Sequence, residues 1–154
     1  MELFIDFQGF KDSNNVFVIK EFAVATTDGK STQHWIVRSP YTFNNLDFKA
    51  KRQCVWATRN YHGIHWRDGD ISVQNLHRQL EPLLQDSVVY VKGLEKANYI
   101  KEFFKPHLVI ELEDYPSLKS LQIPVGTCLF HSRHSGKVCA LNNVFKLVQF
   151  CCNS

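Results

Sequence analysis

The chain has 154 residues, 44% of them hydrophobic and 13% aromatic, enough to bury about 70% of the unfolded surface in a single core without disulfide staples. A formal net charge of +3 permits a nucleic-acid partner but is not the strongly basic footprint of a dedicated binder. Only 21% of residues are charged, and seven glycines and five prolines exclude collagen-like sequence and wholesale disorder.

No apolar run approaches the roughly 18 residues of a membrane span, so no membrane partner is expected. Met1-Glu2-Leu3-Phe4 lacks the basic and apolar regions of a secretory signal. The five cysteines are an odd number, and Cys151 and Cys152 are adjacent, which argues against a secreted disulfide framework. These features predict one intracellular domain over residues 1–154, in cytoplasm or nucleus.

In chain order, Leu3 to Phe10 begins with an apolar strand run, residues 11–15 form a turn cluster, and Val16 to Thr26 reads as a long second strand. Asp28-Gly29 is the strongest hairpin signal and leads into a third strand, Gln33 to Val37. Asn45 to Asn60 loses strand alternation and reads as helical. Ser72 is the expected N-cap of a helix with Val73, Leu76, Leu80, Leu83 and Leu84 on one face, kinked or shortened by Pro82. Ser87 to Val91 and Leu108 to Leu112 read as buried parallel strands on either side of a helix over Glu95 to Phe104. A final helix runs from Cys139 to Phe150, with Ala140, Val144, Leu147 and Val148 inward. The order predicts an α/β fold: a mixed sheet, three antiparallel strands then two parallel ones, flanked by helices.

Cys128-x2-His131, followed by His134 and Cys139, places two thiols and two imidazoles within twelve residues. Thiolate and imidazole are preferred zinc ligands, and a short loop can close a tetrahedron around the ion. Unpaired core cysteines and a surface histidine are the plain alternative; His134 is a spare candidate.

Residues 59–67 interleave Arg59, His62, Trp66 and Arg67 with further aromatics, the chemistry that binds single-stranded RNA or DNA by stacking and charge. The same stretch also fits a loop whose Tyr61 and Trp66 pack onto the core. Lys92, Lys96 and Lys101 suit phosphate contacts or a solvated helix face.

The succession of elements resembles the ribonuclease H-like fold, and within it the DEDD-type 3′–5′ exonucleases. Asp6-Phe7-Gln8-Gly9 stands where that family has Asp-x-Glu and then Gly. Glu21-Phe22-Ala23-Val24-Ala25 before Asp28-Gly29 matches its second strand, and Cys139-Ala140-Leu141-Asn142-Asn143 its last motif. Of the four acids the resemblance implies, Asp6 alone is present. Gln8, Ala97 or Asn98, and Asn143 take the other positions, and Val138 replaces the general-base histidine. Neutral amides cannot offset two divalent cations, which a two-metal mechanism needs.

The cysteine–histidine cluster resembles that of the Maelstrom domain, a ribonuclease H-like domain of germline RNA-silencing proteins that has lost the exonuclease acids and holds zinc through Glu-Cys-His-Cys. The resemblance implies Glu21, Cys128, His131 and Cys139 as ligands of one structural Zn2+; the plain alternative for Glu21 is a carboxylate facing solvent or paired with Lys20 or a neighbour. The function it implies is a catalytically degenerate module that binds single-stranded RNA or a protein partner, in RNA silencing or a mobile-element or viral context. The alternative is an active nuclease using Asp6, Glu95 and Glu113 in a rearranged metal site, or a metal-independent ribonuclease.

Overall fold

The computed structural model describes residues 1–118 and 138–153. Strand β1 (Glu2–Lys11) runs antiparallel to β2 (Phe17–Thr26), which pairs antiparallel with β3 (Thr32–Ile36). The β1–β2 turn is locked by Asp12, whose Oδ1 accepts from the backbone N–H groups of Asn14 and Val16, with Asn15 at a φ of 60°. Gly29, at a φ of 75°, turns the chain between β2 and β3, and Asp28 accepts from the Lys30 N–H beside it. The third strand thus forms after Asp28-Gly29 as expected. Val37 lies just beyond it and bridges to Ile71 instead.

Two parallel strands complete the sheet, β4 (Val88–Val91) beside β1 and β5 (Leu108–Glu111) beside β4. The order is β3-β2-β1-β4-β5, the mixed α/β architecture expected from the element order. One expectation needs correction: β5 is an edge strand rather than a buried one. Leu108 and Ile110 are exposed while Val109 packs inward, because an edge strand with one covered face alternates.

Four α-helices flank the sheet in the described residues. Helix α1 (Phe48–Asn60) is capped by Asp47, which accepts from Ala50 N–H at 2.8 Å. Helix α2 (Val73–Leu84) is capped by Ser72 as predicted, buries Leu76, Leu80 and Leu84, and carries Pro82 in its last turn. Helix α3 (Leu94–Phe103) joins β4 to β5, and α4 (Ala140–Asn153) closes the described chain.

The period of two along the strands sorts the faces. Leu3, Ile5, Phe7, Phe22 and Val24 meet α2 and α3 on one side. Phe4, Ala23 and Ala25 meet Ala140, Val144 and Leu147 of α4 on the other. The small alanines let α4 lie close to the sheet. A third cluster packs α1, through Ala50 and Cys54, onto Phe10, Val18 and Trp66.

A bulge interrupts β1–β2: Gln8 pairs with Glu21 but Gly9 pairs with Ile19, so Lys20 is the extra residue. A Cβ on Gly9 would lie 1.9 Å from the Val18 carbonyl oxygen, and only glycine admits this approach.

Candidate metal centre and the neighbouring acidic cleft

The α4 face of the sheet carries polar residues as well as alanines. Asp6 and Gln8 on β1, and Glu21 on β2 opposite Gln8, alternate with the residues facing α2. His34 on β3 pairs with Ala23 and so lies diagonal to Glu21 on the same face. Cys139 stands immediately before α4, its carbonyl accepting the Asn143 N–H at 3.0 Å. Chain register therefore brings Glu21, His34 and Cys139 together, and their ligand atoms all lie within 4.8 Å of one another.

Glu21 is fully buried, so its carboxylate must be satisfied locally. Oε1 accepts from Gln8 Nε2 at 2.6 Å and from the Ala140 N–H at 2.8 Å. The second bond uses an unsatisfied donor at the α4 N-terminus, where the helix dipole favours negative charge. Oε2 lies 2.7 Å from His34 Nε2 and 3.7 Å from Cys139 Sγ. Of the plain alternatives for Glu21, a carboxylate that faces solvent or pairs with Lys20 does not occur, because β2 is an interior strand and the bulge sends Lys20 elsewhere; pairing with a neighbour does, through His34. Lys20 Nζ donates to Ser39 Oγ and to the carbonyls of Trp66 and Asp68. Burial pushes its pKa down to about 8, partly opposed by the Asp68 carboxylate.

The donor set fits a metal ion. Carboxylate, imidazole and thiolate are all zinc ligands, and a tetrahedral ion with bonds of about 2.0–2.3 Å separates an oxygen from a sulfur ligand by about 3.6 Å. The Glu21–Cys139 spacing matches that edge. The Glu21–His34 spacing is shorter and is that of a hydrogen bond. A buried Glu-His-Cys group that could hold a metal ion is thus present, with Glu21 and Cys139 of the predicted set adjacent; Cys128, His131 and the spare His134 lie outside the described residues. His34 was not foreseen. Its signal was the strand register set by the Asp28-Gly29 turn, which places residue 34 beside Ala23.

The cleft next to this group is filled by a lysine. Asp6 is 1% exposed; its Oδ1 takes Lys96 Nζ at 2.5 Å and its Oδ2 takes Asn143 Nδ2 at 2.7 Å. Burial alone would lower the Lys96 pKa, but the charge of and hydrogen bond to Asp6 outweigh it and raise the pKa above the ordinary lysine value. Gln8, besides reaching Glu21, donates to the Val138 carbonyl at 2.9 Å. Among the described residues, Glu21, His34 and Cys139 form the one group of three His, Cys, Asp or Glu side chains close enough to share an ion. Asp6, Glu95 and Glu113 form no such group, and Glu95 pairs with Lys11 at the surface.

The expected nucleic-acid residues are scattered. Arg59 and Arg67 are exposed. His62 and Trp66 are interior, which corrects their assignment to a stacking surface. The His62 ring packs edge-on against Phe10 and accepts the Ile64 N–H at 3.0 Å, and Trp66 Nε1 donates to the Tyr41 carbonyl at 2.9 Å. Both fill space around Phe10, as the packing alternative for Trp66 required. Lys92 Nζ donates to the Leu112 carbonyl at 2.8 Å, tying β4 to the end of β5, and Lys96 is held by Asp6.

No helix among the described residues is long and apolar enough to cross a membrane. No family model matches the chain, and no curated protein matches it significantly.

Proposed function

We propose that this is a ribonuclease H-like domain of the Maelstrom kind that has given up hydrolysis and serves as a nucleic-acid interaction module, its C-terminal helix pinned to the sheet by a structural zinc ion. The engagement of both Asp6 oxygens by Lys96 and Asn143 carries the non-catalytic reading. An ammonium group supplies the positive charge that metal ions supply in a two-metal nuclease. It has no coordination sphere with which to polarise a phosphate or activate water. The strand order, with the second strand antiparallel to its neighbours, supports the fold assignment.

The zinc reading rests on the Glu21–Cys139 spacing and on the Cys128-x2-His131 pair in the sequence. With Glu21 and Cys139 as two ligands, Cys128 and His131 would supply the other two, and four protein ligands leave no position for water, as in structural sites. His34 then acts as the hydrogen-bonding partner that orients the Glu21 carboxylate. Zinc would link β2 to α4, residues more than a hundred positions apart.

End-labelled single-stranded RNA and DNA, incubated with the protein in Mg2+ and then Mn2+, should keep their length. Stepwise shortening that disappears in Asp6→Ala would overturn the non-catalytic reading.

A further inference from the structure

Helix α1 contains Lys49, Lys51, Arg52 and Arg59 and no acidic residue. Ala50 and Cys54 turn inward. Phe48, Arg52, Val55, Trp56 and Arg59 recur at the spacing of one helix face. Large apolar groups are normally withdrawn from water, yet on this face Phe48 is 75% exposed and Trp56 60%. A hollow of about 450 Å³ runs along the face, lined by Phe43, Phe48, Arg52 and Trp56 among others. A second, of about 340 Å³, adjoins it through Phe43, Val55 and Arg59 and brings in His65 and Arg67. Among the described residues, neither hollow has an Asp or Glu in its lining.

We propose that this face of α1 is a binding surface for single-stranded nucleic acid, with Trp56 and Phe48 as base-stacking platforms and Lys51, Arg52 and Arg67 as phosphate contacts. The inference rests on the interaction-module reading above and gives it a location. Charge complementarity selects the partner: hollows lined by Lys51, Arg52 and Arg67, with no Asp or Glu among their described lining residues, suit a polyanion. The aromatic rings select single strands, because a ring stacks only on a base that is not already enclosed in a duplex. Arg52 already lies over the Phe48 ring at 5.6 Å and Lys51 over Phe43 at 5.8 Å, so cations and rings are interleaved as a strand presents phosphates and bases. The signal of aromatics mixed with bases, read in the sequence at residues 59–67, thus belongs one helix earlier: Trp66 is sealed beneath the surface and Trp56 stands on it.

The test is fluorescence anisotropy with labelled 20-nucleotide oligouridine and oligothymidine, at two salt concentrations, on wild type, Phe48→Ala/Trp56→Ala and Lys51→Glu/Arg52→Glu. Phe48, Arg52 and Trp56 are exposed and Lys51 is half-buried, and thermal melts check that each variant folds. Loss of the rings should weaken binding at least about fivefold. Charge reversal should weaken it further and flatten the salt dependence. Wild-type binding that both variants retain overturns this surface while leaving the interaction-module reading in place. No wild-type binding at low salt overturns both. Equal affinity for a duplex of the same length, or affinity for phosphatidylserine vesicles in place of the oligonucleotides, also overturns the proposal.

Discussion

The ammonium of Lys96 lies 2.5 Å from Oδ1 of Asp6, reaching from α3 to the middle of β1. The carboxylate is buried, and Asn143 of α4 completes its hydrogen bonding on the other oxygen. One carboxylate therefore ties the central strand to α3 by an ion pair and to α4 by a hydrogen bond.

Removing one partner of such a pair strands the other charge in the interior. Lys96→Met should lower stability by about 3–5 kcal/mol in urea unfolding. Asp6→Asn/Lys96→Met, which removes both charges, should recover much of that loss. A double variant as unstable as Lys96→Met would show that packing of the lysine stem, rather than the charge pair, is what matters.

Placing carboxylates where the resembled exonucleases carry them should not create exonuclease activity. In Gln8→Glu/Asn143→Asp, a new carboxylate meets Glu21 at a position where Gln8 now donates at 2.6 Å, and another meets Asp6 in place of the Asn143 amide. Like charges at hydrogen-bond distance disfavour ionisation and leave acceptors facing acceptors. We expect a protein about 2 kcal/mol or more less stable, with no cleavage of labelled RNA in Mn2+. Metal-dependent cleavage by this variant would mean that Lys96 does not block the cleft.

Gly9→Ala tests the bulge that places Glu21 opposite Gln8. The added methyl carbon would meet backbone rather than a movable side chain. The loss should be about 3 kcal/mol or more, read as a lower midpoint in urea; a shift within 0.5 kcal/mol, roughly that of an ordinary surface substitution, would contradict the tight register.

Lys20 gives a pH signature. Its pKa is about 8 in the fold, against 10.5 unperturbed. Below pH 8 both folded and unfolded chains carry the proton and the cost of burying the charge is present in full. Between about pH 8 and 10.5 the unfolded chain binds more protons, so this group makes stability rise with pH, by about 3 kcal/mol in all. Burial of Cys54, which raises its thiol pKa to about 11, works in the opposite direction. The readable quantity is thus the stability of wild type relative to Lys20→Met, which should rise by about 2 kcal/mol from pH 7.5 to 10. A constant difference would contradict a strained buried ammonium.

Much of this architecture was legible because apolar spacing and turn chemistry agree: the Ser72 cap, the Asp28-Gly29 turn and the five strands were all read from local pattern. The site was half legible. Glu21 could be placed by its position in an apolar strand, and Cys139 by its position at the head of the last helix. His34 and Lys96 could not, since each acquires its role from register or from a helix crossing the end of a strand. For Trp66 both a stacking and a core-packing role were open, and burial decides for the core; the exposure of Trp56 had no local signal. Local composition shows that aromatics and bases are mixed, whereas the direction of each ring depends on how α1 and its following loop close over Phe10.

If a metal ion holds Cys139 and α4 to Glu21, freshly purified protein carries it, and the zinc content of wild type, Cys139→Ser and His34→Ala reads this out. One zinc per chain is expected in wild type and none in Cys139→Ser, which should also melt at lower temperature because an ion that binds only the folded site adds to stability. His34→Ala should keep the ion with affinity reduced about 10- to 100-fold, as expected of a residue that orients a ligand. Wild-type protein without zinc, or zinc that survives Cys139→Ser at full stoichiometry, would contradict the account.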